Sequence, residues 1–286
     1  KTLIQLSIAY NIVLKTNKRV LILTPLAVAF QFLDEAVKLG IDDIEYSKDG
    51  NFTKKIVICN YERLHYFDSN DFECVILDES SILKNFNGAI KNEITSFIKK
   101  VPFRFLSTAT PSPNDFIELG THSEFLNNYT VSEMKMMYFT QDRANVQDFI
   151  LKGHAELEFW EWVSSWAECI SSPSALGYDG TSHILPPLNE IYHEISHDDT
   201  QYLTNGSLFE FAETNIGTIS KNKRATIEKR AEKVAELQDG KPHLVWCDTN
   251  DEADKLKEAM PNAIEVRGNH KDEYKAEMAL AFARGE

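Results

Sequence analysis

Basic residues are in short supply: 30 lysines and arginines stand against 44 acids, a formal net charge of -14. That balance argues against a protein that coats nucleic acid through bulk charge. It leaves room for one that grips a strand through backbone amides and hydroxyls in a groove. The 12 glycines include no glycine-rich phosphate-binding loop. Cys59, Cys74, Cys169 and Cys247 are far apart, with no C-x-x-C pair to read as a metal or redox motif. No apolar run approaches membrane-spanning length, and the amino terminus lacks a charged-then-apolar signal. These absences leave a reduced, cytoplasmic-type protein without a membrane partner, its Cys59 and Cys74 set as buried thiols in strand-like runs.

What is present is ordinary globular material. At 286 residues, 43% hydrophobic and 26% charged, the chain has room for about one and a half to two domains. Leu3 to Leu14 is apolar almost all round and predicts a buried helix. Arg19 to Leu23, Ile44 to Tyr46, Lys55 to Cys59, Val75 to Leu77 and Phe103 to Ser107 predict strands. Helical spacing falls between them, at Val28, Phe32, Ala36 and Leu39, and again over Ile90 to Ile98. Strands alternating with helices predict an α/β fold with a mainly parallel sheet covered on both faces.

The rhythm changes near His122. Phe159, Trp162, Val163 and Trp166 recur at helical spacing and read as packing within a helical insertion. Turn-forming residues from Pro173 to Pro187 mark its exit. Alternation then returns, with helices over Lys221 to Leu237, Asp248 to Met260 and Lys271 to Arg284. Strands are predicted at His243 to Cys247 and Ala263 to Val266. Lys1-Thr2 opens straight into a helix and Gly285-Glu286 closes just after one, so a fragment of a longer chain is expected.

Polar clusters sit where the strands end. Asp78 and Glu79 follow Leu77 directly, and acids at that position point into the crevice where open α/β sheets bind ligands. In nucleotide hydrolysis a first acid can hold Mg²⁺ and a second can polarise the attacking water. Lys1-Thr2 at the start of the first helix suits a phosphate-neutralising lysine and a magnesium-binding hydroxyl. Thr24-Pro25, Asn60-Tyr61 and Ser107-Thr108-Ala109-Thr110 follow other strands, so a parallel sheet would gather them at one edge. Each cluster alone also reads as an ordinary turn.

His193-Glu194-Ile195-Ser196-His197 fits H-E-x-x-H, the two-histidine zinc pattern of metalloproteases, with Glu210 or Glu213 as a third ligand. The same residues alternate like a strand after Pro186-Pro187, an extended setting in which the histidines would bind no zinc.

Taken in order, Lys1-Thr2, Leu21 to Pro25, Ile58 to Glu62, Leu77 to Ser81 with Lys84-Asn85, and Thr108 to Pro111 resemble the motif series of superfamily 2 DEAD/DEAH-box helicases. The SNF2-like type found in phages and prophages is the nearest in look. Leu151 to Ala155, Phe159-Trp160, Trp166-Ala167 and Leu176 to Tyr178 resemble the insertion those proteins carry. His243 to Asp248 and Arg267-Gly268 resemble motifs of their second domain.

The resemblance implies a RecA-like ATP-binding domain over residues 1–120, a helical insertion over 121–190 and a truncated second RecA-like domain over 191–286. It implies ATP and Mg²⁺ as cofactors, with Lys1 and Thr2 at the nucleotide and Thr2 and Asp78 at the metal. Asp78 and Glu79 would be catalytic. Ser107, Thr108, Ala109 and Thr110 would couple hydrolysis to movement, and Thr24, Pro25, Asn60 and Tyr61 would border the nucleic-acid track. The expected activity is that of an ATP-dependent DNA helicase or translocase in a bacterial host's cytoplasm, with phage replication or recombination proteins as further partners. Two departures stand against it: the phosphate-loop glycines are absent, and so is the late arginine that reaches the γ-phosphate. Negligible ATP hydrolysis is therefore expected of this stretch alone. The alternatives are a zinc metalloprotease through His193 and His197, and a nucleotide-responsive scaffold that does not translocate.

Overall fold

Five apolar segments pair into one parallel sheet: β1 Arg19–Thr24, β2 Ile44–Tyr46, β3 Ile56–Asn60, β4 Phe72–Asp78 and β5 Phe103–Ser107. Their order across the sheet is β2-β3-β1-β4-β5, so the chain crosses over between neighbours, as parallel pairing demands. The computed structural model describes residues 1–84, 88–141, 149–195 and 223–285. It divides into two compact units, Lys1–Leu176 and Gly177–Glu286.

Alternation along the strands builds two cores. Val20, Ile22, Ile56, Ile58, Cys74 and Ile76 face one side, packed against Leu6 and Ala9 of helix α1 (Thr2–Thr16) and Ala29, Phe32 and Ala36 of α2 (Leu26–Lys38). Leu21, Leu23, Val57, Cys59, Val75 and Leu77 face the other, under Ile94 and Ile98 of α3 (Ala89–Ile98). The strands are therefore nearly continuous apolar runs, as expected when both faces are covered. Gly50, in the turn after β2, has φ +80, and a Cβ there would lie 2.2 Å from the Tyr66 carbonyl oxygen, so only glycine fits.

Helix α1 corrects one expectation. It is not buried all round: Leu3, Ile4, Tyr10 and Leu14 are 42–62% exposed, and Gln5, Leu6 and Ala9 form the buried stripe. A single sheet face covers only one stripe of a 3.6-residue helix, whatever the composition of the rest.

After β5 the first unit continues through α4 (Leu119–Phe125), α5 (Val131–Tyr138), an antiparallel pair β6 (Phe139–Gln141) and β7 (Phe149–Leu151), and α6 (Glu156–Ser164). Thr130 and Glu133 close a reciprocal capping box at the start of α5. Phe159 is fully buried in a separate small core, edge-on to Tyr138 and Phe139 at 5.5 and 5.6 Å. Trp162 stacks on Tyr129 at 5.3 Å and meets Trp166, past the end of α6, at 5.4 Å. The aromatic stripe is packing, with both tryptophans half-buried.

The second unit contains α7 (Ile227–Glu236), α8 (Asn250–Ala259) and α9 (Asp272–Arg284). Thr249 caps α8 in a box with Glu252, whose carboxylate also meets Arg230 of α7 at 2.6 Å. The strands expected at His243 to Cys247 and Ala263 to Val266 do not form. A strand needs a neighbour for its alternate N–H and C=O groups, and no residue of this unit is in a strand among the described residues. Leu244, Trp246 and Ile264 are accordingly 60%, 87% and 68% exposed.

Candidate functional site

Parallel register brings four strand ends to one edge. Thr24 lies opposite Asn60, Leu23 opposite Leu77, and Asp78 opposite Ser107. Helix α1 starts at the same edge, with Lys1 as its cap and Gln5 one turn on.

The two adjacent acids have opposite settings. Asp78 is 2% exposed and held by three uncharged donors. Gln5 Nε2 donates to its Oδ1 at 2.7 Å, Thr24 Oγ1 donates to its Oδ2 at 3.1 Å, and the Tyr61 hydroxyl donates to its backbone carbonyl. Glu79 is 40% exposed in its side chain, and its Oε1 pairs with Lys1 Nζ. Such an open pair is worth about 0–1 kcal/mol. Glu79 also has φ 50, a left-handed backbone that costs a non-glycine residue roughly 1–2 kcal/mol. The strand thus ends abruptly at Asp78.

Three of the residues expected along a nucleic-acid track are inside the protein. Thr24, Asn60 and Tyr61 are 0%, 1% and 2% exposed. Thr24 and Tyr61 serve Asp78, while Asn60 accepts from the Tyr46 hydroxyl at 2.9 Å and donates to Glu62 at 2.7 Å. Burial, then the nearby Asp78 and Glu79 charges, push the Tyr61 phenol well above its ordinary range, which keeps it a donor. Of that group, Pro25 alone is half-exposed. At the end of β5, Ser107 and Thr108 are half-buried, Ala109 and Thr110 exposed, and the Thr110 N–H donates to Thr108 Oγ1 at 3.1 Å.

Sequence reasoning missed three side chains. Gln5 is the one polar residue on the buried stripe of α1. Ser80 is fully buried, and His122 of α4, 3% exposed, places Nε2 3.2 Å from Ser80 Oγ. Burial depresses the His122 pKa against the opposing pull of the Glu118 and Ser80 backbone and the Glu118 charge.

The donor set at this edge suits a hydrated divalent cation. Asp78 offers a carboxylate oriented by neutral groups, and Gln5 Oε1 is buried without a hydrogen-bond partner. The zinc alternative gains nothing comparable. His193 is exposed, His197, Glu210 and Glu213 lie outside the described residues, and no group of three or more His, Cys, Asp or Glu is placed to hold a metal among those described. A groove of about 800 Å³ between Leu64 to Ser69 and Glu93 to Lys100 shares no residue with this edge.

Fold and site together define a parallel α/β domain with a paired-acid edge. Comparison with family models and with curated proteins found no match. Among solved structures, the chain is similar to the SWI2/SNF2 ATPase core of Sulfolobus solfataricus in complex with dsDNA, at 21% identity and a TM-score of 0.41, over 48% of this chain and 32% of that one. It is also similar to the UvsW helicase from bacteriophage T4, at 17% identity and a TM-score of 0.34, over 42% of this chain and 47% of that one. The match thus spans a third to a half of those proteins. At such scores the likeness carries no weight beyond the topology and geometry of this chain itself.

Proposed function

We propose that this chain carries the nucleotide site of an ATP-dependent DNA helicase or translocase, built on a RecA-like domain. The observation that supports it best is Asp78, buried at the carboxyl edge of a parallel sheet and immobilised by Gln5, Thr24 and Tyr61, beside an exposed Glu79. Phosphoryl transfer depends on positioning and charge stabilisation more than on covalent chemistry by the protein. In this reading Thr2 and Asp78 would hold Mg²⁺, whose charge would offset that of the phosphates. With nucleotide bound, Lys1, now paired with Glu79, would neutralise phosphate charge, and Glu79 would be the group to orient an attacking water. Ser107 to Thr110, on the strand adjoining Asp78, sense the change and pass it on to a DNA strand gripped near Pro25.

The test is magnesium-dependent binding of a fluorescent ADP analogue by this chain, together with DNA-stimulated ATP hydrolysis by a longer protein that carries it. Glu79→Gln should retain nucleotide binding and lose about 10²-fold or more of turnover, the scale of a positioned general base. Full turnover in that variant would refute the assignment. Turnover indifferent to DNA would favour a nucleotide-responsive scaffold.

A further inference from the structure

We infer that Gln5 is an outer-sphere partner of the magnesium ion. One end of its amide orients Asp78, and the other accepts a hydrogen bond from a metal-bound water. The inference rests on the nucleotide reading above and adds a residue to it.

The geometry of the amide carries the case. Gln5 is 2% exposed, on the stripe of α1 that otherwise buries Leu6 and Ala9. Its Nε2 lies 2.7 Å from Asp78 Oδ1, a carboxylate oxygen that accepts from it. The amide cannot be turned round without setting oxygen against oxygen, so the free atom is Oε1. That oxygen is buried and has no hydrogen-bond partner. A buried acceptor left unmade is destabilising, and native structures leave few of them without a reason.

The amide that carries this oxygen is bonded to Asp78, and a hydrated magnesium ion held there would supply donors of the right kind. Mg²⁺ gives up its waters reluctantly, so a site with one or two protein ligands retains several, each a strong donor. Gln5 also follows Thr2 by three positions, which sets both residues on one side of α1. Thr24 holds the other carboxylate oxygen at 3.1 Å, so the acid is gripped from both sides before any ion arrives. Outer-shell partners of this type tune metal affinity without touching the metal.

The experiment titrates a fluorescent ADP analogue into the wild-type chain and the Gln5→Met and Gln5→Leu variants, each in Mg²⁺ and in EDTA. Both substitutions are close in size to glutamine and apolar, and circular dichroism establishes which is folded. The apparent Mn²⁺ affinity in the presence of ADP, read from the free Mn²⁺ EPR signal, reports metal occupancy directly. The expected result is a loss of about 10–100-fold in Mn²⁺ affinity and in the magnesium-dependent gain in nucleotide affinity, with binding in EDTA unchanged. A folded variant that keeps the full magnesium gain overturns the role of Gln5 alone. Equal losses in Mg²⁺ and EDTA also overturn it, by showing a structural role. A wild-type chain that binds nucleotide in neither condition overturns this inference and the nucleotide reading together.

Discussion

Replacing Tyr61 with phenylalanine separates a buried anchor from a nucleic-acid contact. The ring is 2% exposed and packs with Leu21, Leu23, Val57 and Leu77, and phenylalanine keeps that packing. What is lost is the hydroxyl that donates to the Asp78 carbonyl. A buried carbonyl stripped of its donor costs about 1–3 kcal/mol. For a unit of this size, roughly 2–4 °C per kcal/mol converts this to a fall of about 2–12 °C in the thermal midpoint. Melting followed by circular dichroism and by tryptophan fluorescence would measure the shift. Affinity for a labelled oligonucleotide, measured alongside, should change less than about twofold, because the hydroxyl has no access to a strand. An unchanged midpoint with weakened DNA binding would refute this reasoning and return Tyr61 to the surface.

Three further outcomes follow from the same geometry. Burial depresses the His122 pKa, so the unfolded chain takes up a proton near the ordinary value of 6.5 while the folded one stays neutral. Stability is then complete above about pH 6.5 and declines as pH falls toward the folded value; urea midpoints at pH 7.5 and 5.5 should show this slope reduced in His122→Gln, and an identical slope would exclude the histidine. Cys169 and Cys247 are exposed while Cys59 and Cys74 are buried, so two of the four thiols should react with a disulfide reagent in the folded state, the others only on unfolding. Cys247 should be the slower of the two, because partial burial and then Glu252 and Glu265 push its thiol up. Burial pushes the Cys74 thiol up to about 12, which slows it further. Thr249→Ala removes the α8 cap and should cost about 1 kcal/mol, read as faster amide exchange in α8 without change in the five-stranded sheet.

The sheet was legible because its strands are apolar runs ending in polar clusters, and both signals survive in a single sequence. The two acids and Lys1 could be placed for the same reason: the βα order fixes which edge they share. Four features were not legible, each for a physical cause. Composition cannot tell which stripe of an apolar helix meets the sheet, so the exposure of Leu3, Ile4, Tyr10 and Leu14 had no signature. Val245 to Cys247 has strand propensity, but propensity does not supply a partner. Thr24, Asn60 and Tyr61 are turn-favouring or amphipathic residues at strand ends, and such residues read alike whether they face solvent or a polar partner inside the protein. Gln5 and His122 are single polar residues in apolar surroundings, with no spacing to mark them; a lone amide on a buried stripe is the only cue the sequence offered.

The chain from Leu77 to Ser80 passes through two fixed points with one open residue between them. Asp78 is tied to α1, to the end of β1 and to the turn after β3, so moving it breaks or drags a hydrogen bond to each. Ser80 is fully buried against His122 of α4. Glu79, held between them in a left-handed backbone, has its side chain free to reach solvent or Lys1 and little freedom in where its Cα sits. Its position is therefore set by the distance between the β4 end and α4. Helix α4 follows the Ser107 to Thr110 segment in sequence, and Ser107 pairs with Asp78 in register. Glu79 is thus flanked by two contacts, the β4–β5 ladder at Asp78 and the His122 contact at Ser80. Under the proposed function, that double attachment would be a route by which the Ser107 to Thr110 segment and Glu79 influence each other.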